Sequence, residues 1–288
     1  MRRYKKAYIE ITNICNLNCK FCPKTTREPK SMSYDEFKYV LNEVSKYADY
    51  INLHQMGEPL LHKDLESFLK LAKEKNVKIN ITTNGTLLSK EKALIFNGNM
   101  LNKISISIHS FEANLMSESY EEYLNNILNF VTEIRKSNDT YCCLRLWNVK
   151  NTKDNTLNSD IIEKIEKHFD VDVFSQINNL KNIKLANRVF LQLDEAFDWP
   201  DIDIDDVNNT GFCYGLRDHF SVLADGTVVP CCLDNNGEIN LGNIFCTSLI
   251  DILQSNRAKN IFDNFSNRKI VEPLCKKCNY IKKFSKKH

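Results

Sequence analysis

No apolar run approaches the roughly 20 residues that a helix needs to cross a bilayer, so the sequence predicts no membrane partner. The N-terminal MRRYKKAYIEITN carries the positive charge of a signal peptide but no apolar stretch behind it, and a cytoplasmic chain is expected. Charge of one sign is also missing: 39 Lys and Arg against 37 Asp and Glu leave a formal net charge of +2. That balance gives no electrostatic case for a nucleic-acid partner. The basic KKFSKKH at the C-terminus reads as a solvated tail. Internal repeats and low-complexity linkers are absent too. What remains is an ordinary globular composition, 42% hydrophobic over 288 residues, long enough for one large domain or one domain with an appendage.

Cysteine is plentiful. Eleven is an odd number, and disulfides are disfavoured in a reducing compartment, so metal or redox chemistry leads. Cys15, Cys19 and Cys22 stand as C-x3-C-x2-C in ITNICNLNCKFCPK; Cys213, Cys231, Cys232, Cys275 and Cys278 form a second group. Cys142, Cys143 and Cys246 lie apart and are expected to be buried apolar thiols.

Apolar runs of strand length alternate with helix-period runs up to about residue 194. AYIEIT, YINLHQ, VKINITT, KISISIHS, YCCLRLWN and RVFLQLD read as six strands. Between them lie helices such as SYDEFKYVLNEVSKYA, in which Ser33 and Glu36 make a capping box, and YEEYLNNILNFVTEIRKS. Such alternation calls for an α/β fold with parallel pairing, either a doubly wound sheet or a partial barrel, and reactive groups gather at the carboxyl ends of its strands. The three-cysteine loop, QMGEP, TTNG and the end of SISIHS all fall there. After the acidic DWPDIDIDDVNN the pattern changes to a hairpin, HFSVLADGTVVPCC, with Asp225-Gly226 as a two-residue turn, then the helix SLIDILQSN and a terminal CKKC. The expected domains are 1–200 and 201–288.

Three thiols on one loop fit a zinc site poorly, because structural zinc takes paired C-x2-4-C units, even if His54 or His62 completed the set. They fit an iron–sulfur cubane better, with one iron left open. Cys15, Cys19 and Cys22, with Phe21 before the last, resemble the signature of the radical SAM superfamily. The resemblance implies a partial (β/α)6 TIM-like barrel and a [4Fe-4S] cluster whose open iron binds S-adenosylmethionine. It also implies reductive cleavage to a 5′-deoxyadenosyl radical that abstracts hydrogen from substrate. QMGEP resembles the superfamily's GGEP motif: Gly57, Glu58 and Pro59 match, Met56 replaces the first glycine, and Gln55 reaches the same region. Glu58 is thereby implied to hold the methionyl ammonium. Thr83 and Asn84 of TTNG, and Ser107, match further cofactor contacts. Many relatives follow the fourth strand with an Asp-Gly pair and an arginine that clamps the cofactor carboxylate. Here His109 stands in the aspartate's place and no arginine follows, so Arg145 on the fifth strand is the substitute.

The second cysteine group alone would suit a zinc ribbon. Beside a radical SAM core it resembles the SPASM/twitch region, a small C-terminal β-hairpin and helix domain that binds an auxiliary [4Fe-4S] cluster. Leu241 to Asn243 and SLIDIL match that pattern. Cys213, Cys231, Cys275 and Cys278 are the implied ligands, with Cys232 the alternate to Cys231; one auxiliary cluster is expected, because the sequence ends ten residues after Cys278.

A fully ligated cluster accepts an electron, so the resemblance implies two-electron oxidation of a small molecule. His54 and His109 are candidate bases, ahead of Glu195, Arg217 and Asp234. Modification of a peptide or protein side chain is the alternative, and a non-catalytic zinc or cluster module is a third. The start of the first strand near residue 6 tilts the choice toward a small molecule. An electron donor such as flavodoxin or ferredoxin completes the expected partners.

Overall fold

The computed structural model describes residues 3–96, 98, 101–114, 119–137, 139–149, 155–177 and 179–287. Residues 115–118, within the stretch that lacks the relatives' arginine, and the end of the basic tail fall outside it. The chain separates into two compact units: Met1–Cys15, Cys22–Gly57 and Phe197–His288 in unit 1, Asn16–Phe21 and Glu58–Ala196 in unit 2.

Unit 1 begins with β1 (Tyr4–Ile9), α1 (Tyr34–Val44) and β2 (Ala48–Asn52). Phe37, Val40, Leu41 and Val44 recur at helical spacing and are buried, which fixes the face α1 turns to the core. Its N-terminus carries the expected capping box: the Glu36 N–H donates to the Ser33 hydroxyl, and the Ser33 N–H donates to the Glu36 carboxylate at 2.7 Å. The C-terminal segment returns to the same sheet. β8 (His219–Val222) pairs in parallel with β1, and β9 (Thr227–Val229) and β10 (Gly242–Asn243) follow antiparallel, giving the order β10-β9-β8-β1-β2.

Unit 2 holds α2 (Leu65–Glu74), β3 (Lys78–Thr83), β4 (Lys103–Ser107), α3 (Tyr120–Ser137), β5 (Tyr141–Leu146), α4 (Asn158–Phe169), β6 (Asn182–Ala186) and β7 (Val189–Leu193). Its strands run β3-β4-β5-β7-β6, parallel except for β6. Helix α3 covers the residues read from periodicity.

Three expectations change. RVFLQLD gives β7, but NIKLA before it forms β6, a strand the sequence reading lacks; Ala186 pairs with Val189 across Asn187-Arg188, and Arg188 adopts φ +60°. That turn has no glycine to announce it. The β8–β9 hairpin does not close on a two-residue turn: the Leu223 N–H bonds the Thr227 carbonyl, leaving Ala224, Asp225 and Gly226 as a three-residue loop with Gly226 at φ +87°. Cys142 and Cys143 are buried as expected, whereas Cys246 is exposed on the loop after β10. Helix α6 (Asn256–Ser266), which follows α5 (Leu249–Leu253), also joins the structure, capped by Ser255 and burying Ala258, Ile261 and Phe265.

Candidate functional site

The cysteine loop leaves β1 at a tightly braced point in unit 1. The Met32 N–H donates to the Ile11 carbonyl at 2.8 Å and the Asn13 N–H to the Lys30 carbonyl at 3.1 Å, so the chain returns alongside its own departure. The Asn13 side chain closes the brace, donating to the Glu28 carbonyl at 2.8 Å and accepting from the Lys30 N–H at 2.7 Å. Gly57 of QMGEP sits against this strand at φ +75°, and a Cβ there would lie 2.3 Å from the Thr12 carbonyl oxygen. Only glycine permits that approach. Glu10, wholly buried at the end of β1, gathers the surrounding loops. Its carboxylate accepts from the Met56 N–H (3.2 Å), the Ala224 N–H (3.0 Å) and the Arg27 guanidinium (2.7 Å). Arg27 and Thr25 in turn bond Asn235, downstream of Cys231 and Cys232. Gln55 is engaged at both ends of its amide, by the Asp234 carbonyl (2.8 Å) and the Ser221 hydroxyl. Asp234 itself is buried and collects the N–H groups of Gly237, Glu238 and Ile239 at 2.8–3.0 Å, so its part is to shape the loop.

In unit 2, Glu58 is 2% exposed, and burial pushes its carboxyl upward against the hydrogen bonds it accepts. Those come from the Leu60 N–H at 2.9 Å, the Asn84 N–H at 2.7 Å and the Thr83 hydroxyl. Pro59 opens the short 3-10 turn that Glu58 caps. Asn84 donates to Asn16 of the cysteine loop at 2.9 Å, while the buried Tyr123 hydroxyl donates to the Asn84 carbonyl at 2.6 Å. The third-strand motif therefore holds the cysteine loop directly. A residue that sequence reasoning missed does the same: the Asn114 amide donates to Cys19 Sγ at 3.1 Å and to the Ser110 carbonyl at 2.7 Å, and accepts from the Asn18 N–H at 2.8 Å. No spacing rule marks Asn114.

Ser107, His109 and Arg145 come together. Ser107 and Arg145 are register neighbours on β4 and β5. His109 Nδ1 lies 3.1 Å from the Arg145 carbonyl, and the Phe21 ring stands 5.0 Å from the imidazole. Burial, then the Arg145 charge, holds the His109 imidazole down to about 4, so it is neutral at neutral pH. The Arg145 guanidinium lies over the Trp147 ring at 4.4 Å and reaches the Thr82 hydroxyl at 3.4 Å. His54, in unit 1, packs edge-on against Tyr8 at 5.5 Å.

Cys213, Cys231, Cys232, Cys275 and Cys278 all lie in unit 1, and among the described residues no three His, Cys, Asp or Glu side chains stand at metal-holding spacing. A Cβ on Gly215 would touch both Cys213 Sγ (3.7 Å) and Cys231 Cβ (3.8 Å), and the Gly215 N–H donates to Cys213 Sγ at 3.4 Å. CKKC is anchored from two sides. Arg257 of α6 grips Glu272 with two bonds of 2.9 and 2.7 Å, and Glu272 opens the short helix α7 (Pro273–Lys276) that carries Cys275. The N–H groups of Val207 and Asn208 bond the Lys276 carbonyl, and the Asn208 amide bonds the Cys278 carbonyl at 3.0 Å. The acidic connection is exposed as read, yet its end braces the motif.

These thiols are electrostatically coupled. Burial pushes Cys213 up to about 12 and Cys231 and Cys275 well up, and after burial the charges of their cysteine neighbours push in the same direction. A cluster of buried thiolates that repel one another needs a cationic core to exist, and an iron–sulfur cluster supplies one. Burial pushes the Cys232 thiol up as well, opposed in part by the Tyr8 hydroxyl and the Lys6 charge. None of the eleven cysteines forms a disulfide.

Comparison with known proteins agrees with this chemistry. Residues 213–279 match the SPASM family, described as an iron-sulfur cluster-binding domain. A tungsten-containing aldehyde ferredoxin oxidoreductase cofactor-modifying protein of Pyrococcus furiosus is 35% identical over 91 residues, 30% of this chain and 26% of that protein. The chain thus spans about a quarter of that relative's length. Two solved structures share the fold. BtrN in complex with AdoMet and 2-DOIA is 16% identical, with a TM-score of 0.59 over 97% of this chain and 94% of that one. Streptococcus suis SuiB bound to precursor peptide SuiA is 16% identical, with a TM-score of 0.62 over 100% and 74%. The fold class is α/β, of the partial-barrel type with a C-terminal auxiliary-cluster region, and the cofactors are S-adenosylmethionine, its [4Fe-4S] cluster and auxiliary iron–sulfur. Residues 9–158 match the radical SAM superfamily, more than half of the chain, and the protein belongs to that superfamily.

Proposed function

We propose that this enzyme oxidises a small molecule by two electrons, with one auxiliary cluster taking the second electron. What supports this reading is that Cys213, Cys231, Cys275 and Cys278 all fall in residues 213–279, the stretch that matches an iron-sulfur cluster-binding domain. Four protein thiolates close every corner of a cubane, which leaves electron acceptance as its chemistry. On this reading residues 1–200 are the barrel and 201–288 the auxiliary-cluster domain.

The resident cluster and S-adenosylmethionine supply, when bound, a carbon-centred radical that removes one hydrogen atom from the substrate. Cys15, Cys19 and Cys22 would hold that cluster, with Asn16, Asn84 and Asn114 fixing the loop between them. Glu58 would receive the methionyl ammonium, and Gly57, Pro59, Thr83 and Ser107 would shape the remaining contacts. Gln55 orders the loop beside them. Arg145 offers a guanidinium to a carboxylate, of cofactor or substrate. After hydrogen-atom removal the substrate must still lose one proton and one electron. The neutral imidazole of His109, or His54, would accept the proton, and the four auxiliary thiolates would hold the acceptor for the electron. The Phe21 ring packs against His109. Electrons for cofactor cleavage come from an external donor of the flavodoxin or ferredoxin class.

SuiB, which covers the whole of this chain, is bound to a precursor peptide. That likeness supports a second reading in which the oxidised group is a peptide side chain.

Anaerobic reconstitution tests the proposal. The protein is expected to take iron for two four-iron clusters and to form 5′-deoxyadenosine. Cys213→Ala is expected to retain deoxyadenosine formation while losing the product two hydrogens lighter. If Cys213→Ala makes that product as the wild type does, the electron-acceptor role is refuted.

A further inference from the structure

The sheet of unit 1 has two chemically different faces. Ala7 and Ile9 of β1, Ile51 of β2, and Phe220 and Val222 of β8 share one face by register and are all 0% exposed. On the other face Lys6 stands between Tyr50 and His219, and Tyr8 between Asn52 and Ser221. Parallel strands covered on both sides are ordinarily apolar on both. The buried members of this polar row are bonded within the protein, Ser221 to Gln55 and Asn52 to the Ala7 carbonyl, and two observations single out the lysine beside them.

The first is its setting. Lys6 is half-buried and its Nζ lies 5.4 Å from the centroid of the Tyr8 ring, so it leans along the polar face. Among the described residues no carboxylate stands within ion-pair distance of it. Its neighbour Lys5, on the opposite face, pairs with Asp218 at 2.8 Å. The Lys6 charge acts on the Cys232 sulfur, and with no carboxylate paired to it the half-buried ammonium can still receive an oxyanion.

The second is the company it keeps. The His219 ring is edge-on to Tyr8 at 6.0 Å, and Tyr8 is edge-on to His54 on its other side. Burial and then the Lys6 charge hold His219 down to about 4, which keeps it a neutral N–H donor beside the ammonium. The Tyr8 hydroxyl reaches Cys232, so the row ends at the auxiliary cysteine loop.

We propose that Lys6, with His219 beside it, anchors an oxyanion group of the substrate, a carboxylate or a phosphate. This assignment deepens the small-molecule reading above and rests on it. It places an acidic metabolite along β1, within reach of the auxiliary cysteines.

The test is isothermal titration of the cluster-loaded protein with S-adenosylmethionine present, using inorganic phosphate and acetate as probes. The wild type is expected to bind at least one probe, about ten-fold or more tightly than Lys6→Met. Lys6→Arg is expected to retain binding, and Lys5→Met to match the wild type. Equal binding by Lys6→Met, or binding of neither probe by the wild type, overturns the assignment. A Lys6→Met protein whose only change is the auxiliary-cluster potential overturns it too, and makes Lys6 a counter-charge to the cluster. Deoxyadenosine formation by the same wild-type sample reports on the radical reading separately, since anion binding does not need it.

Discussion

Arg27→Met puts the wiring of the site under the sharpest strain. Glu10 has a side chain 0% exposed and Arg27 one 12% exposed, with 2.7 Å between Nη2 and Oε1. At an effective dielectric of about 20, opposite charges some 4 Å apart attract by about 4 kcal/mol. Removing one partner of such a buried pair costs about 3–5 kcal/mol, because the other charge stays buried. Met preserves most of the Arg volume, so little of the loss is cavity. Two N–H donors, of Met56 and Ala224, still reach the carboxylate and bring the expected cost toward the lower figure. For a chain of this length that is a fall in melting temperature of roughly 5–8 °C. Circular dichroism melts of the anaerobic, cluster-loaded protein measure it. The double variant Glu10→Gln/Arg27→Met is expected to lose less than the sum of its single changes, since it leaves no buried charge. A single Arg27→Met within about 0.5 kcal/mol of wild type, the range of an ordinary surface substitution, would refute the reasoning. Because Arg27 Nε also holds the Asn235 carbonyl at 2.9 Å, the auxiliary cluster's resonance is expected to broaden in the same variant.

Two further outcomes follow from single contacts. Asn114→Ala removes the amide that donates to Cys19 Sγ, and hydrogen bonds to cluster sulfurs raise reduction potentials; a lower midpoint in an electron-spin-resonance redox titration is expected, while Asn114→Gln recovers part of it. Gly57→Ala drives a Cβ to within 2.3 Å of backbone at Thr12 and strains a φ of +75°; S-adenosylmethionine binding is expected to weaken, by calorimetry, far more than in an alanine substitution at the exposed Lys63.

The metal chemistry was legible because it is local. Three thiols within eight residues and two more in CKKC need no tertiary contact to be brought near one another. Helices α1 and α3 were legible for a related reason: a 3.6-residue period, and in α1 a cap, are written in consecutive residues. Strand β6 was not, because its pairing runs through a turn without glycine, and the hairpin loop was misjudged by one residue because its closing bond is made by Leu223 and Thr227.

The sequence by itself determined that the cysteines fall in two groups suited to iron–sulfur chemistry and that the chain alternates strand and helix. Tertiary structure alone decided what steadies those atoms. Glu10 accepts from Ala224 across 214 positions, Asn114 reaches Cys19 across 95, and β8 lies beside β1 with Lys6 next to His219. Such contacts arise from where the backbone returns, and no residue carries a mark of the distant partner it will meet. Glu58 shows the same limit: its motif suggested a carboxylate for a cofactor, and only the fold revealed that backbone N–H groups of Leu60 and Asn84 bond both of its oxygens.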